Sequence, residues 1–405
     1  MGGAVGHLMH LFDNRDLTFN EIADVLTSAA SGKLQKASEK LDGLNLVFSW
    51  DVSTDTLKVA RNSGNIKSGG LDAESLASKF EGRGNLAEAF NSAFKVLNGA
   101  LGSLPQKMKL EVFGPQANRW YSMEVIYTSN PNVINYDSNN IVFHGWPVFN
   151  VDKNGNVEMT DDDKGGVDTL TSYVERMQKA VEVRGWKVRG PALARMQKLS
   201  DDSILNGTLS KIDNELSSMG LDSTSTVRDY IKAKITQDVE DLNLSPEIKG
   251  MVVLRCLADP GAPTLVDIKK KANKSTYETI NEFIKSSPKR LKTYIRPIEI
   301  AISDFAVELL KGLESTLIDN TEEEVMRLRS EVSKAISAIE SSGDEAAMTI
   351  LKVQMEKLKS LENITSPVEG VVFIYKGNAY KFTGSFAAAN QILGLFKYSR
   401  KGNTL

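Results

Sequence analysis

The stretch Glu39-Lys40-Leu41-Asp42-Gly43-Leu44-Asn45 places a lysine, an acid and a glycine where a run of strand-forming residues begins. An amine in that position suits nucleophilic attack on the α-phosphate of a nucleotide. To attack, the amine must be neutral, so desolvation, nearby cations or a metal must lower its pKa. Gly43 lets backbone come close to a ligand. The plainer reading is a solvated lysine at the start of a strand, followed by an Asp-Gly turn. K-x-D-G is too short to choose between the two by itself. Asp42 is a catalytic candidate on the first reading and a hydrogen-bond acceptor at the strand start on the second.

Other clusters carry weaker signals. Between Thr264 and Arg296 lie nine basic residues (Lys269, Lys270, Lys271, Lys274, Lys285, Lys289, Arg290, Lys292, Arg296) against three acids, with Tyr277 and Tyr294 interleaved. That pattern fits a phosphate backbone without base readout and equally a solvated helix face. Lys269, Lys270, Lys271, Lys289 and Arg290 are the candidate nucleic-acid contacts. Gly64 to Gly70 has the composition of an anion nest without the Walker spacing. Asp152-Lys-Asn-Gly-Asn and Asp161-Asp-Asp suggest a calcium loop, but the glycine comes two positions early, so a hairpin turn and an acidic loop are expected. His7 and His10 would share a face if that stretch were helical, but they lack further ligands for zinc.

Several elements must position these residues. Residues 17–31 carry an apolar stripe at helical spacing. Residues 43–51 and 56–61 read as a strand pair, 71–98 as helix, and 107–114, 121–127 and 140–144 as further strands. Residues 149–159 form a hairpin around Asn154-Gly155. From 166 to about 363 strand signals vanish. Helices are expected over 167–183, 191–199, 209–219, 225–241, 246–257, 264–286, 288–313, 322–342 and 344–363, the segment Thr321-Glu-Glu-Glu resembling a capping box. Strands return as a hairpin over 369–375 and 379–383, too short to be stable alone. The expectation is therefore an α+β fold: one discontinuous antiparallel-sheet domain, 1–165 and 364–405, interrupted by an all-helical insertion, 166–363.

In that order along the chain, these motifs resemble those of the covalent nucleotidyltransferase superfamily, which holds ATP-dependent DNA ligases, RNA ligases and mRNA capping enzymes. Lys40-Leu-Asp-Gly-Leu-Asn45 looks like its nucleophile motif, and Asn45 at the last position looks like phage double-strand RNA-repair ligases. Arg61-Asn-Ser-Gly64 resembles the next motif, whose arginine contacts a phosphate. Glu124 resembles the acid on the ribose. The stretch Val133 to Phe143 resembles the run leading to the aromatic that stacks on adenine, with Trp146 as the alternative stacker. Glu369-Gly-Val-Val resembles the motif whose glutamate serves the metal, and Lys381 the lysine on the α-phosphate. The resemblance implies an adenylation domain in which Lys40, Asp42 and Lys381 are catalytic. It also implies that Glu39, Asn45, Arg61, Glu124, Phe143 and Lys381 bind ATP, with Mg²⁺ (or Mn²⁺) at Glu369. It covers about 1–150 and 365–400, where the ends look like a group of tailed-phage proteins. The family's second lysine is replaced by Thr383, so Lys376 or Lys397 is left to supply that charge. No OB domain follows Thr383, which speaks for a ligase over a capping enzyme.

Composition sets limits on this. Hydrophobic residues at 41% and charged residues at 25% are ordinary for a globular chain, and 405 residues suggest two domains. The lone Cys256 allows no internal disulfide. No apolar run nears the ~20 residues of a membrane span, and no signal peptide is read, so a cytoplasmic monomer, phage-encoded in a bacterial host, is expected. A net charge of −3 requires any nucleic-acid contact to be local. The expected activity is ATP-dependent sealing of 5′-phosphate/3′-hydroxyl breaks through lysyl-AMP on Lys40, on duplex DNA first and RNA ends second. A non-catalytic nucleic-acid binder and an enzyme that adenylylates a protein or small molecule are the other readings.

Overall fold

The computed structural model describes residues 8–130, 132–160, 165–311 and 313–401, with side chains to 396. His7, the acidic run 161–163 and the Lys397 side chain lie outside the described residues. The chain divides into two compact units: Met1–Leu8, Leu34–Met196 and Leu310–Leu405 form the first, Met9–Lys33 and Gln197–Leu309 the second.

The first unit is α+β with antiparallel sheets. Its strands are β1 (Ser38–Lys40), β2 (Leu44–Asp51), β3 (Thr56–Ala60), β4 (Arg119–Ile126), β5 (Asn139–Val151), β6 (Val157–Thr160), β7 (Trp186–Arg189), β8 (Gly370–Tyr375) and β9 (Asn378–Thr383). A six-stranded sheet runs β3-β2-β4-β5-β6, with β7 joining β5 in parallel, and a three-stranded sheet runs β1-β8-β9. The β8–β9 turn matches its sequence: Lys376 and Gly377 both take positive φ, at 48° and 74°, between the paired Tyr375 and Asn378. Such two-residue turns follow the strand twist.

Side-chain alternation in the large sheet feeds three buried clusters, the smallest holding Val47, Ala60, Trp120 and Phe149. Leu46, Phe48, Met123, Val125, Ile141 and Phe143 pack with the helix Asn85–Gly102 and its neighbours. Ile126 and Val142 belong to the second core, with Leu41 and the helices Thr321–Ser342, Glu345–Leu358 and Ser385–Lys401.

Several local expectations change. Residues 107–114 alternate like a strand, yet Gln106–Phe113 is a helix. Met108, Lys109, Val112 and Phe113 are buried while Leu110 is 48% exposed, which is a helical face. Residues 191–199 are not helical. There Leu193 bridges Ser38, Ala192 accepts from the Glu39 amide and Ala194 donates to Ala37, so the segment covers the free edge of β1. Strand β7 was not anticipated. The boundaries of the helical region shift as well. Residues 166–196 and 310–363 pack with the sheets, and residues 9–33 with the helical unit.

The second unit is built from the helices Phe19–Ala30, Asp202–Ser218, Val227–Glu240, Pro246–Leu257, Leu265–Lys271 and most of Lys274–Leu310. Thr18 and Glu21 close a capping box at its first helix. Buried Tyr230 meets Phe19 edge-on, and its hydroxyl hydrogen-bonds Glu215 and the Tyr294 carbonyl. No helix among the described residues is long and apolar enough to cross a membrane.

Candidate active site

Pairing of β1 with β8 sets Lys40 opposite Gly370. Glu369, one residue before that strand, then lies with Oε2 2.5 Å from Lys40 Nζ. Both side chains are largely buried, at 21% and 15% exposure. Burial raises the Glu369 pKa, Lys40 opposes that rise, and the charges of Asp42 and Glu124 add to it. Gly370 could be no other residue without backbone movement, because a Cβ there would stand 2.1 Å from the Phe382 carbonyl oxygen. The β8–β9 register pairs Val372 with Lys381, and the β1–β8 register pairs it with Ser38, which carries Lys381 to the same cleft as Lys40.

The large sheet supplies the other wall. Asn45 pairs with Glu124 and Glu124 with Val142, so by alternation Glu124 and His144 share one face. His144 Nε2 lies 3.1 Å from Glu124 Oε2. Asn45 Nδ2 donates to Ser122 Oγ at 3.0 Å and to the Met123 carbonyl at 3.3 Å. Its Oδ1 is buried without a hydrogen-bond partner, an acceptor that would be costly to leave unmet. Gly43 has to be glycine here: a Cβ would stand 2.7 Å from Glu124 Cγ and 2.8 Å from the Val125 carbonyl oxygen. The cleft between these walls has a volume of about 630 Å³ and is lined by Lys36, Lys40, Asn45, Glu124, His144, Trp146, Asp168, Glu369 and Lys381 among others. That volume is within the range of small-molecule sites.

Lys40, Asn45, Glu124, Glu369 and Lys381 are thus brought together. Other expected residues stand differently. Phe143 is 1% exposed and packs 5.1 Å from Phe48 in the opposite core, so it cannot stack on a base. The error is one of parity, since neighbouring strand residues face opposite sides. Trp146, the alternative, does line the cleft. Arg61 sits beyond the end of β3, where its Nη1 donates to the Asn45 carbonyl, and its guanidinium lies 5.1 Å from the centre of the Phe90 ring. It is not among the residues lining the cleft, and it satisfies a carbonyl that the strand has stopped serving. Burial lowers its pKa, against the pull of Glu124.

Glu39 lines the cleft, but its carboxylate is engaged elsewhere, by Ser315 Oγ at 2.7 Å and by the Thr316 amide and hydroxyl at 2.8 Å each. Asp42 touches the cleft as well. Its Oδ2 accepts from the Val133 and Ile134 amides at 2.8 and 3.0 Å, and its amide donates to the buried Tyr136 hydroxyl at 2.9 Å. It therefore anchors the strand start rather than serving as a free acid. Sequence reasoning missed His144, whose signal was its even spacing from Val142, and Lys36, Asp168 and Tyr136, which had none.

The expected nucleic-acid contacts lie in the helical unit, and several are tied to acids. Lys271 pairs with Glu247, Lys270 stands 3.7 Å from Asp267, and Arg290 stands 2.7 Å from Asp238. Lys269 lies 5.7 Å from the centre of the Tyr277 ring, and Lys289 is exposed. Among the described residues no cluster of three or more His, Cys, Asp or Glu could hold a metal alone.

No family model, curated protein or solved structure matches the chain.

Proposed function

We propose that the chain is an ATP-dependent polynucleotide ligase of the covalent nucleotidyltransferase type, in which Lys40 carries AMP. The observation that carries this reading is the Lys40–Glu369 contact of 2.5 Å inside a cleft of nucleotide size. An amine that attacks phosphorus must give up a proton. Glu369 is within reach of it, and its raised pKa makes it a stronger base than an ordinary carboxylate. Lys40 would attack the α-phosphorus of ATP as the bond to pyrophosphate breaks. Lys381 would offset charge on the α-phosphate. Glu124, held by His144, would accept from ribose hydroxyls. Asn45 Oδ1 would accept a donor from the ligand, and Trp146 would stack on the base.

Glu369 and Glu124 also suit Mg²⁺ (or Mn²⁺), which takes one or two carboxylates together with phosphate oxygens. The ion would neutralise charge on the phosphates. AMP would then pass to a 5′-phosphate end, and a 3′-hydroxyl would displace it and join the strand. Breaks in duplex DNA are the first substrate and RNA ends the second. On this reading the sheet unit is an adenylation domain and the helical unit an insertion within it, and the protein acts as a monomer.

The test offers ATP and Mg²⁺ with nicked duplexes whose nick strands are DNA or RNA. Denaturing gels should show a sealed strand and, transiently, a 5′-adenylylated end. If wild-type protein forms neither product on any duplex, the ligase reading is wrong.

A further inference from the structure

The second unit carries a surface that the active site does not use. Lys274–Leu310 is one helix, with Pro288 and Pro297 inside it. At about 100° per residue, Lys285, Lys289, Lys292 and Arg296 fall within roughly 60° of arc, at intervals of four, three and four residues. Their span is about 16 Å along the axis. Between Glu282 and Glu299 the helix contains no acid. Lys285, Lys289 and Lys292 are exposed.

The opposite side of this helix faces inward. Phe283 and Ile298 are buried. Arg290 and Tyr294 both reach Asp238, at 2.7 and 2.5 Å. Arg290 also lies 4.6 Å from the centre of the Phe283 ring. Arg290 is therefore a packing residue of the unit, and the lysines across the helix are left to face outward.

We propose that the Lys285–Lys289–Lys292 stripe is a docking surface for the phosphate backbone of a nucleic acid. A strand of a duplex presents a phosphate every ~3.4 Å of axis, so the ~10 Å from Lys285 to Lys292 spans about three. The partner is a polyanion held without sequence readout, because the three exposed groups of the stripe are lysines, which are flexible point charges. A lipid surface fits less well. A helix lying on a membrane inserts its apolar face, and here that face is buried in the unit.

The choice of a polynucleotide rests on the ligase reading, but the test needs no catalysis. Fluorescence anisotropy with a labelled 24-base-pair duplex is measured across a salt series for wild-type protein, Lys285→Gln/Lys289→Gln/Lys292→Gln, the corresponding triple Arg variant, and Arg290→Gln. Each phosphate that a lysine no longer neutralises should lower the slope of log affinity against log salt by about 0.9. The Gln triple should therefore lose about 2 to 3 units of slope and bind at least roughly tenfold more weakly at 0.1 M salt, alike on unrelated sequences. The Arg triple and Arg290→Gln should keep the wild-type slope. A Gln triple with the wild-type slope would overturn the proposal, as would wild-type protein that binds anionic phosphatidylserine vesicles and no duplex. Duplex binding without AMP transfer to Lys40 would instead refute the ligase reading and leave the surface standing.

Discussion

Arg327→Met should loosen the grip on Lys40 from a distance. Arg327 lies on the helix Thr321–Ser342 and touches nothing in the cleft. It donates to Glu324 through Nε at 2.7 Å and to the Val133 carbonyl through Nη2 at 2.7 Å, and Glu331 lies 2.7 Å from its Nη1. Glu324, 7% exposed at the side chain, also accepts from the Asn135 amide at 2.9 Å. The segment held this way supplies the amides of Val133 and Ile134 to Asp42, and the Asn132 side chain to the Gly43 carbonyl. Asp42 is two residues from Lys40. Removing one partner of a buried ion pair costs about 3–5 kcal/mol. With Arg327 24% exposed, the lower end applies, about 3 kcal/mol. At roughly 2–4 °C per kcal/mol, melting of the variant should fall by about 6–12 °C. A displacement of Lys40 by about 1 Å costs on the order of 10²-fold in rate. Single-turnover formation of protein-bound AMP should therefore fall by about 10- to 100-fold, with the KM for ATP within roughly threefold of wild type. Glu324→Leu/Arg327→Met should recover most of the stability, since a buried pair replaced by apolar groups is often neutral. It should not recover the rate, because the Val133 carbonyl still lacks its donor and the Asn135 amide now loses its acceptor as well. A destabilised Arg327→Met with a wild-type rate would refute this coupling.

Further outcomes follow from the same geometry. Burial raises the Glu39 pKa above its ordinary 4.5, ahead of the opposing hydrogen bonds from Thr316 and Ser315. The folded chain thus holds that proton more tightly, so wild-type stability declines as pH climbs from 4.5 through the raised value. Glu39→Gln does not ionise, and urea melts should show it gaining on wild type from pH 4.5 to 7. Equal pH slopes would show that Glu39 is not held this way. Trp146→Ala should raise the KM for ATP about tenfold or more, the loss of one stacking partner. Phe143→Leu should leave that KM alone and cost about 1–2 kcal/mol in a thermal melt. If the two exchange behaviour, the assignment of strand faces is wrong. Gly43→Ala should cost about 1–3 kcal/mol, through the collision of its Cβ with Glu124 and the Val125 carbonyl. A melt within error of wild type would show that the approach there is loose.

Much of the site was legible because its parts are short and local. Lys40 ends β1 and Gly43 precedes β2, Glu369 lies just before β8, and the Lys376-Gly377 turn announces the hairpin that carries Lys381. The rest depended on partners far along the chain. The carboxylates of Glu39 and Asp42 look alike in the sequence, and only packing binds one to Thr316 and the other to Val133 and Ile134. Phe143 and His144 differ by one residue, and that step decides core against cleft. Among the helices, amphipathic spacing marks each as packed without saying on what. Thr321–Ser342 and Glu345–Leu358 therefore read as part of an insertion, although they cover the core beneath Leu41. The run 191–199 took its extended form from the free edge of β1, a partner that helix-like spacing does not reveal.

The most direct measurement is incubation with α-labelled ATP and Mg²⁺, wild type beside Lys40→Ala, followed by denaturing electrophoresis. Label should stay on the wild-type chain and be released by acid, as a phosphoramidate is, and Lys40→Ala, folded by its melt, should carry none. An unlabelled wild-type chain, folded and free of bound AMP, would contradict the proposal that Lys40 is a nucleophile, as would label that persists on Lys40→Ala.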